Sequence, residues 1–288
     1  MNSKYVIYTD SSADLNADIY RAWDVEYSSL TFRFNGEDIE YKNDDMEIGA
    51  FYNKMKKGGV AKTSAVNSEV FKKGFAKILE AGNDILYLAF SSGLSTTANS
   101  ARLAQLELSE VYPDRKIIIV DTLCASAGVA LLISMVIDKK NSGATIEEAA
   151  AFAESKKLNI CHWFTVDDLV YLKRGGRVSS TTAFVGNVLG IKPVMHVDND
   201  GHLINVTKVR GRKSAIMALA DKYGALRENT EDKVFISHGS CIDDANELAA
   251  IIESKYGKKV DLITDVGPVI GAHSGPGTLA LFFVGRER

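Results

Sequence analysis

Three times in the first half of the chain, a short apolar run stops at a polar, hydroxyl-bearing turn and a helix-like stretch follows. Tyr5-Val6-Ile7-Tyr8 ends at Thr9-Asp10-Ser11-Ser12, Ile85 to Phe90 ends at Ser91-Ser92-Gly93, and Lys116 to Val120 ends at Asp121-Thr122. Behind the second run, Ala101, Ala104, Leu108 and Val111 share one helical face. Behind the third, Leu123 to Ile137 is uncharged and too short to span a bilayer, so it reads as a buried helix. Ser11, with Asp14 three residues on, is placed to cap a helix after the first run. Thr145 and Glu148 form a capping box ahead of Ala149, Ala150 and Ala153. Apolar strands joined by amphipathic helices require a parallel sheet covered on both faces. In such a sheet, ligands bind beyond the carboxyl ends of the strands. Here those ends carry Thr9, Ser11 and Ser12, then Ser91, Ser92 and Ser95, then Thr122 and Ser126.

The second half has another rhythm. Ile191 to Val197 and His202 to Val209 flank Asp198-Asn199-Asp200-Gly201, a hairpin signal. Ala215, Ile216, Leu219 and Tyr223 mark one helix, and Ala245, Leu248, Ile252 and Tyr256 another. Val234 to Ser237, Val260 to Thr264 and Leu279 to Val284 read as strands. Hairpins mixed with helices predict an α+β unit. The expected architecture is therefore α/β in two domains: an N-terminal parallel-sheet domain over 1–157, a C-terminal α+β domain over 158–288, and the ligand between them. No internal repeat or low-complexity tract interrupts either half.

Composition removes several function classes. A net charge of −3 over 288 residues, with no dense cationic run beyond Lys208 to Lys213, argues against nucleic acid. Met1-Asn2-Ser3-Lys4-Tyr5 leads directly into a strand-like run, without the apolar segment of a signal peptide. Cys124, Cys161 and Cys241 are far apart and odd in number, which argues against disulfide partners and a zinc site and for the reducing cytoplasm. No cluster has metal-ligand spacing.

Four segments carry candidate chemistry. Gly267-Pro268-Val269-Ile270-Gly271-Ala272-His273-Ser274-Gly275-Pro276-Gly277 holds two of the chain's four prolines and four glycines around one histidine. It reads either as a rigid loop presenting an imidazole or as a structural turn. Thr63-Ser64, ahead of a helix beginning near Ser68, either caps that helix or donates to an anion at its start. Ser91-Ser92-Gly93-Leu94-Ser95-Thr96-Thr97 places five hydroxyls in a strand-to-helix turn suited to a carboxylate or phosphate. It is neither a nucleophile elbow nor a Walker A loop. Lys173-Arg174-Gly175-Gly176-Arg177 is either a solvated basic loop or an anion clamp, with Arg210 and Arg212 available to the same field. Asp167-Asp168 reads as a helix cap, since neighbouring strand residues point apart.

In combination and order, these segments resemble the DegV family of bacterial fatty-acid-binding proteins. The matching pieces are Asp10-Ser11-Ser12-Ala13-Asp14-Leu15, Thr63-Ser64, Ser91-Ser92-Gly93-Leu94-Ser95, Asp168 through Arg177, Ile191-Lys192-Pro193, Asp200-Gly201 and Gly267 through Gly277. The resemblance implies a lipid-binding protein that is not itself an enzyme. It implies a long-chain fatty acid, such as palmitate, in a buried apolar tunnel between the domains and no other cofactor. It carries over Thr63 and Ser95 as carboxylate ligands, with Ser64, Ser92 and Gly275 in the same binding set. Some members of the family are the acyl-carrying subunit of a fatty-acid kinase, whose separate ATP-binding subunit phosphorylates the carboxylate. The resemblance assigns Arg177, Arg210 and His273 to the support of that transfer, with Arg212 as a rival for Arg210, and allows only transient membrane contact. The chain departs from the family pattern at Ala65-Val66, where Gln-Pro is usual, and at Thr96-Thr97, where Gly-Thr is usual. Two other classes remain open: a free-standing phosphotransferase, and a binding module for another acidic metabolite.

Overall fold

The computed structural model describes residues 4–178 and 190–288. The chain opens with β1 (Tyr5–Asp10), α1 (Ala17–Ala22), β2 (Val25–Ser28), β3 (Thr31–Phe34), β4 (Tyr41–Lys42), α2 (Ile48–Lys56) and β5 (Ala61–Ser64). It continues through α3 (Ser68–Glu80), β6 (Asp84–Ala89), α4 (Thr97–Val111), β7 (Ile117–Asp121), α5 (Ala127–Asn141) and α6 (Ile146–Lys156). The expected parallel sheet is present in the order β2-β1-β6-β7, and β6 is buried along its whole length. That burial explains the continuous apolar run that follows Asp84, from Ile85 to Ala89.

A second, three-stranded antiparallel sheet, β4-β3-β5, carries Thr63 and was not expected from the sequence. Phe32 and Phe34 alternate inward from β3 and pack with Phe51, Tyr52 and Met55 of α2. The first cap also differs from expectation. Asp10 at the end of β1 accepts Ser12 N–H at 3.1 Å, which opens only a 3-10 turn, Ser11–Ala13, and Asp14 follows in the left-handed region at φ 55°. The helix is thereby delayed until Asn16 caps it by accepting Ile19 N–H at 2.9 Å. The Thr145 and Glu148 capping box forms as expected.

The remaining elements are β8 (Ile160–Thr165), α7 (Val170–Arg174), β9 (Ile191–Val197), β10 (Leu203–Arg210), α8 (Arg212–Leu226), β11 (Val234–His238), α9 (Ile242–Tyr256), β12 (Leu262–Asp265), α10 (Pro268–Ser274) and β13 (Leu279–Val284). Their strands form one mixed sheet in the order β10-β9-β8-β13-β11-β12, in which only β11 and β12 run parallel. Helix α5 lies between the halves. It contacts α6 and β6 as well as β8, β11 and β13, and its apolar positions are buried all round. From the other direction, α10 crosses to pack on α2, β3 and β5. Among the described residues, no helix is long and apolar enough to cross a membrane.

Candidate functional site

Where the carboxyl ends of β6 and β7 meet the mixed sheet, a cavity of about 470 Å³ opens. That lies within the range of pockets that hold small apolar molecules. Its walls are mainly apolar: Phe90 and Leu94 from the β6–α4 turn, Phe164, Ala280 and Phe282 from the mixed sheet, and Val269 and Ile270 from α10. Polar groups gather in two places along this wall.

The first gathering joins three segments distant in sequence. Alternation along β5 turns Thr63 toward the cavity, where its Oγ1 meets His273 Nε2 of α10 at 2.7 Å. Gly267 and Pro268 start α10, and Gly275, at φ +82°, ends it immediately after His273 and Ser274. On its other side the imidazole lies against Gly175, and a Cβ there would collide with His273 Nδ1. Arg177 donates to the Gly175 carbonyl, and its Nε reaches Leu94 O at 3.2 Å. The next residue is Ser95, whose Oγ accepts Thr97 N–H at 3.2 Å and lies 2.8 Å from Thr97 Oγ1 at the start of α4. Burial, followed by the charge of Arg177, pushes the His273 pKa down to about 4. The ring is therefore neutral at physiological pH.

The second gathering lies against the mixed sheet. Ser126 holds a left-handed backbone, φ 53°, and its Oγ donates to Asp14 Oδ2 at 2.6 Å. The same Oγ lies 2.9 Å from Ser237 Oγ of β11. Both serines line the cavity. Asp14 is fully buried, and desolvation pushes its pKa up to about 8 despite the Ser126 hydrogen bond. His162 also lines this wall. Its Nδ1 faces Ile160 O at 2.8 Å, and its Nε2 receives Ala125 N–H at 3.3 Å. Desolvation keeps it neutral.

The candidate residues separate accordingly. Thr63, Ser92, Ser95, Arg177 and His273 line the one cavity. Ser64, next along β5, is exposed on the opposite face and is not among the lining residues. Thr63 and Ser64 thus belong to a strand and not to a helix start, since Asn67 caps α3 instead. Gly275 lies outside the lining. Its carbonyl accepts Thr278 Oγ1 at 2.7 Å, and its Cα faces the Tyr171 ring too closely for a side chain. Arg210 is exposed at the end of β10 and also lies outside the lining. Arg212, its rival, bonds Asp244 Oδ2 at 2.9 Å and lies 3.7 Å from Asp167 Oδ1, so its charge is engaged in the second half of the fold. Asp168 accepts Val170 N–H at 2.9 Å while Asp167 pairs with Lys192 at 2.6 Å, so the two carboxylates serve different partners. Ser274 was not singled out as a binding residue. Its buried Oγ lines the cavity without a hydrogen-bond partner among the described residues. Among those residues, no group of three or more His, Cys, Asp or Glu is placed to hold a metal ion.

The profile of the DegV family, described as uncharacterised proteins, matches residues 4–286. The chain belongs to the DegV family. It is 44% identical over 287 residues to a DegV domain-containing protein of Clostridium perfringens, covering 99% of both chains. Among solved structures it is similar to a DegV lipid-binding protein of Thermotoga maritima, with 33% identity, a TM-score of 0.86 and 99% of each chain covered. It is also similar to a fatty-acid-binding DegV family protein of Thermus thermophilus, with 27% identity and a TM-score of 0.88 over 98% of this chain and 99% of that one. In this DegV chain, the departures at Ala65-Val66 and Thr96-Thr97 fall on the site. Ala65 and Thr96 line the cavity, Val66 is buried beside it in the adjoining core, and Thr97 holds the Ser95 hydroxyl.

Proposed function

We propose that this DegV chain binds a long-chain fatty acid, palmitate being one example, and presents its carboxylate to a partner kinase that makes the acyl phosphate. The observation that carries this reading is an apolar cavity whose wall includes uncharged O–H groups, a neutral imidazole and a half-buried guanidinium. Each buried CH₂ contributes about 0.8 kcal/mol, so a sixteen-carbon tail offers on the order of 10 kcal/mol before the costs of association. A buried carboxylate costs several kcal/mol unless it is hydrogen-bonded. Thr63, Ser95 and the amino end of α4 are the groups assigned to that compensation.

The Thr63–His273 contact gives the headgroup reading a definite proton arrangement. A threonine hydroxyl has a single proton. If Thr63 gives it to His273 Nε2, none remains for a carboxylate. If His273 carries its proton on Nε2 and donates, the Thr63 proton is free for the ligand. Carboxylate binding therefore selects the Nε2–H tautomer. Arg177 and His273 would then stabilise the negative charge that grows as phosphate is added. Arg210, exposed on β10, is assigned to the side facing the partner. The proposed setting is the cytoplasm, where Cys124, Cys161 and Cys241 stay thiols.

Organic extraction of the purified protein followed by mass spectrometry should release stoichiometric fatty acid. The Thr63→Val, Ser95→Ala double variant should retain less than about a tenth of it, as expected when two hydrogen bonds to a charged group are lost. Full retention by a folded double variant would place the headgroup elsewhere. Acyl phosphate should form from the bound lipid only when an ATP-binding partner subunit is added. Turnover of ATP by the purified chain alone would overturn the kinase-partner assignment.

A further inference from the structure

A tunnel built only to hold a hydrocarbon tail has no use for hydroxyl groups in its wall, because each one must find a hydrogen-bond partner or pay for its burial. This cavity nevertheless includes Ser126 and Ser237, and the two are linked in a line: Ser237 Oγ to Ser126 Oγ at 2.9 Å, and Ser126 Oγ to Asp14 Oδ2 at 2.6 Å. Ser126 uses its proton and one lone pair within that line. Ser237, buried on β11 and, among the described residues, bonded through its side chain only to Ser126, has hydrogen-bonding capacity left over on the cavity side. Its neighbours across the sheet are Ala280 of β13 and Thr264 of β12. The Thr264 hydroxyl is engaged elsewhere, on the Asp14 carbonyl at 2.8 Å.

We propose that the cavity accepts long-chain fatty acids bearing a hydroxyl group on the acyl chain, with Ser237 as the partner of that hydroxyl and Ser126 and Asp14 as the groups that orient it. The proposal rests on the fatty-acid reading above and names the class of acyl chain. A hydroxyl is the fitting complement because it both donates and accepts. With Asp14 ionised, Ser126 donates to it, Ser237 donates to Ser126, and the ligand hydroxyl donates to Ser237. With Asp14 carrying a proton on Oδ2, the line can reverse, and Ser237 donates to the ligand oxygen. An unsubstituted chain leaves the spare valence of Ser237 against methylene groups in either state, and a ketone fits only one of them.

The test measures the affinity of delipidated wild-type protein for stearate and for a series of monohydroxystearates differing in the position of the hydroxyl. At least one positional isomer should bind as tightly as stearate or more tightly. The Ser237→Ala variant should lose roughly tenfold for that isomer and keep its stearate affinity, the loss expected for one buried hydrogen bond. Ser237→Thr, which keeps the hydroxyl, should restore the isomer's affinity. Wild-type protein that binds stearate but takes every hydroxystearate at least about tenfold more weakly would overturn this proposal and leave the fatty-acid reading intact. Protein that binds neither class would overturn both. An equal loss for stearate and the hydroxy isomer in Ser237→Ala would reduce Ser237 to a packing residue and also refute the proposal.

Discussion

Asp10 and Asp14 are four residues apart, both fully buried, and differ in what surrounds them. Asp10 accepts from Ser12 N–H, Ser12 Oγ, Tyr87 Oη and Phe90 N–H, so the end of β1 is tied to the end of β6. Asp14 is left with the Ser126 hydroxyl and the Gly267 backbone N–H, and desolvation, with the like charges of Asp265 and Asp10 added to it, outweighs them in holding its proton on. Its pKa stands near 8 in the fold against 3.8 for the free side chain. The folded state therefore binds more protons than the unfolded chain between those values, and the stability linked to this group is fully present below about pH 4 and lost as pH rises to about 8. Asp14→Asn keeps the acceptor for Ser126 and removes the titration. Chemical denaturation at pH 5 and pH 8 should show wild-type protein losing stability relative to Asp14→Asn, with a slope approaching about 1.4 kcal/mol per pH unit. Parallel curves for the two proteins would mean that Asp14 is ionised throughout. The pH dependence was not legible from Asp14 alone, because the burial that creates it comes from α5 and the mixed sheet, far away in sequence.

At the level of elements, the Gly-Gly turn after α7 is a packing device. Gly175 has φ −73°, which any residue can adopt, so the need for glycine there is steric and not conformational. Its missing side chain is the space that the His273 ring occupies as α7 and α10 come together. Gly175→Ala should force the imidazole away from Thr63 and reduce co-purifying lipid at least several-fold, with little change in overall secondary structure, read by extraction and circular dichroism. Unchanged lipid content would show that the α7–α10 approach tolerates a methyl group and that His273 is not fixed by it. The sequence displayed this pair of glycines, the His273 segment and the Ser91-to-Thr97 turn plainly, since glycine, proline and clustered hydroxyls are local signals. It concealed β5, because Ala61-Lys62-Thr63-Ser64 has no large apolar residue and is recruited into a sheet by Phe32 and Phe34 across from it. The resemblance put Thr63 and Ser64 in one binding set, and strand alternation leaves only Thr63 on the cavity wall. The resemblance favoured Arg210 with Arg212 as its rival, and the sequence did not show that Asp244 and Asp167 engage Arg212.

Across the whole molecule, the strands of the parallel and three-stranded sheets precede residue 157 and those of the mixed sheet follow it. We propose the division 1–157 and 158–288 as one of topology and not of independent stability. Helix α5 is apolar on the side facing β8, β11 and β13 as well as on the side facing its own sheet. A polypeptide ending at residue 157 would expose that second side to water. It should be recovered as aggregate or as a state that binds hydrophobic dye, and adding residues 158–288 should restore a cooperative melt. A monomeric, cooperatively melting 1–157 fragment would refute this view. The two halves also meet at the tip of the β9–β10 hairpin. The Gly201 carbonyl accepts Ser91 Oγ at 2.9 Å, and a Cβ on Gly93 would collide with the Asp200 and Gly201 carbonyls. The turn that carries Ser95 is thus braced by a hairpin whose far end carries Arg210. A protein docking on that exposed strand would be pressing on a lever whose other arm rests against the turn that holds Ser95.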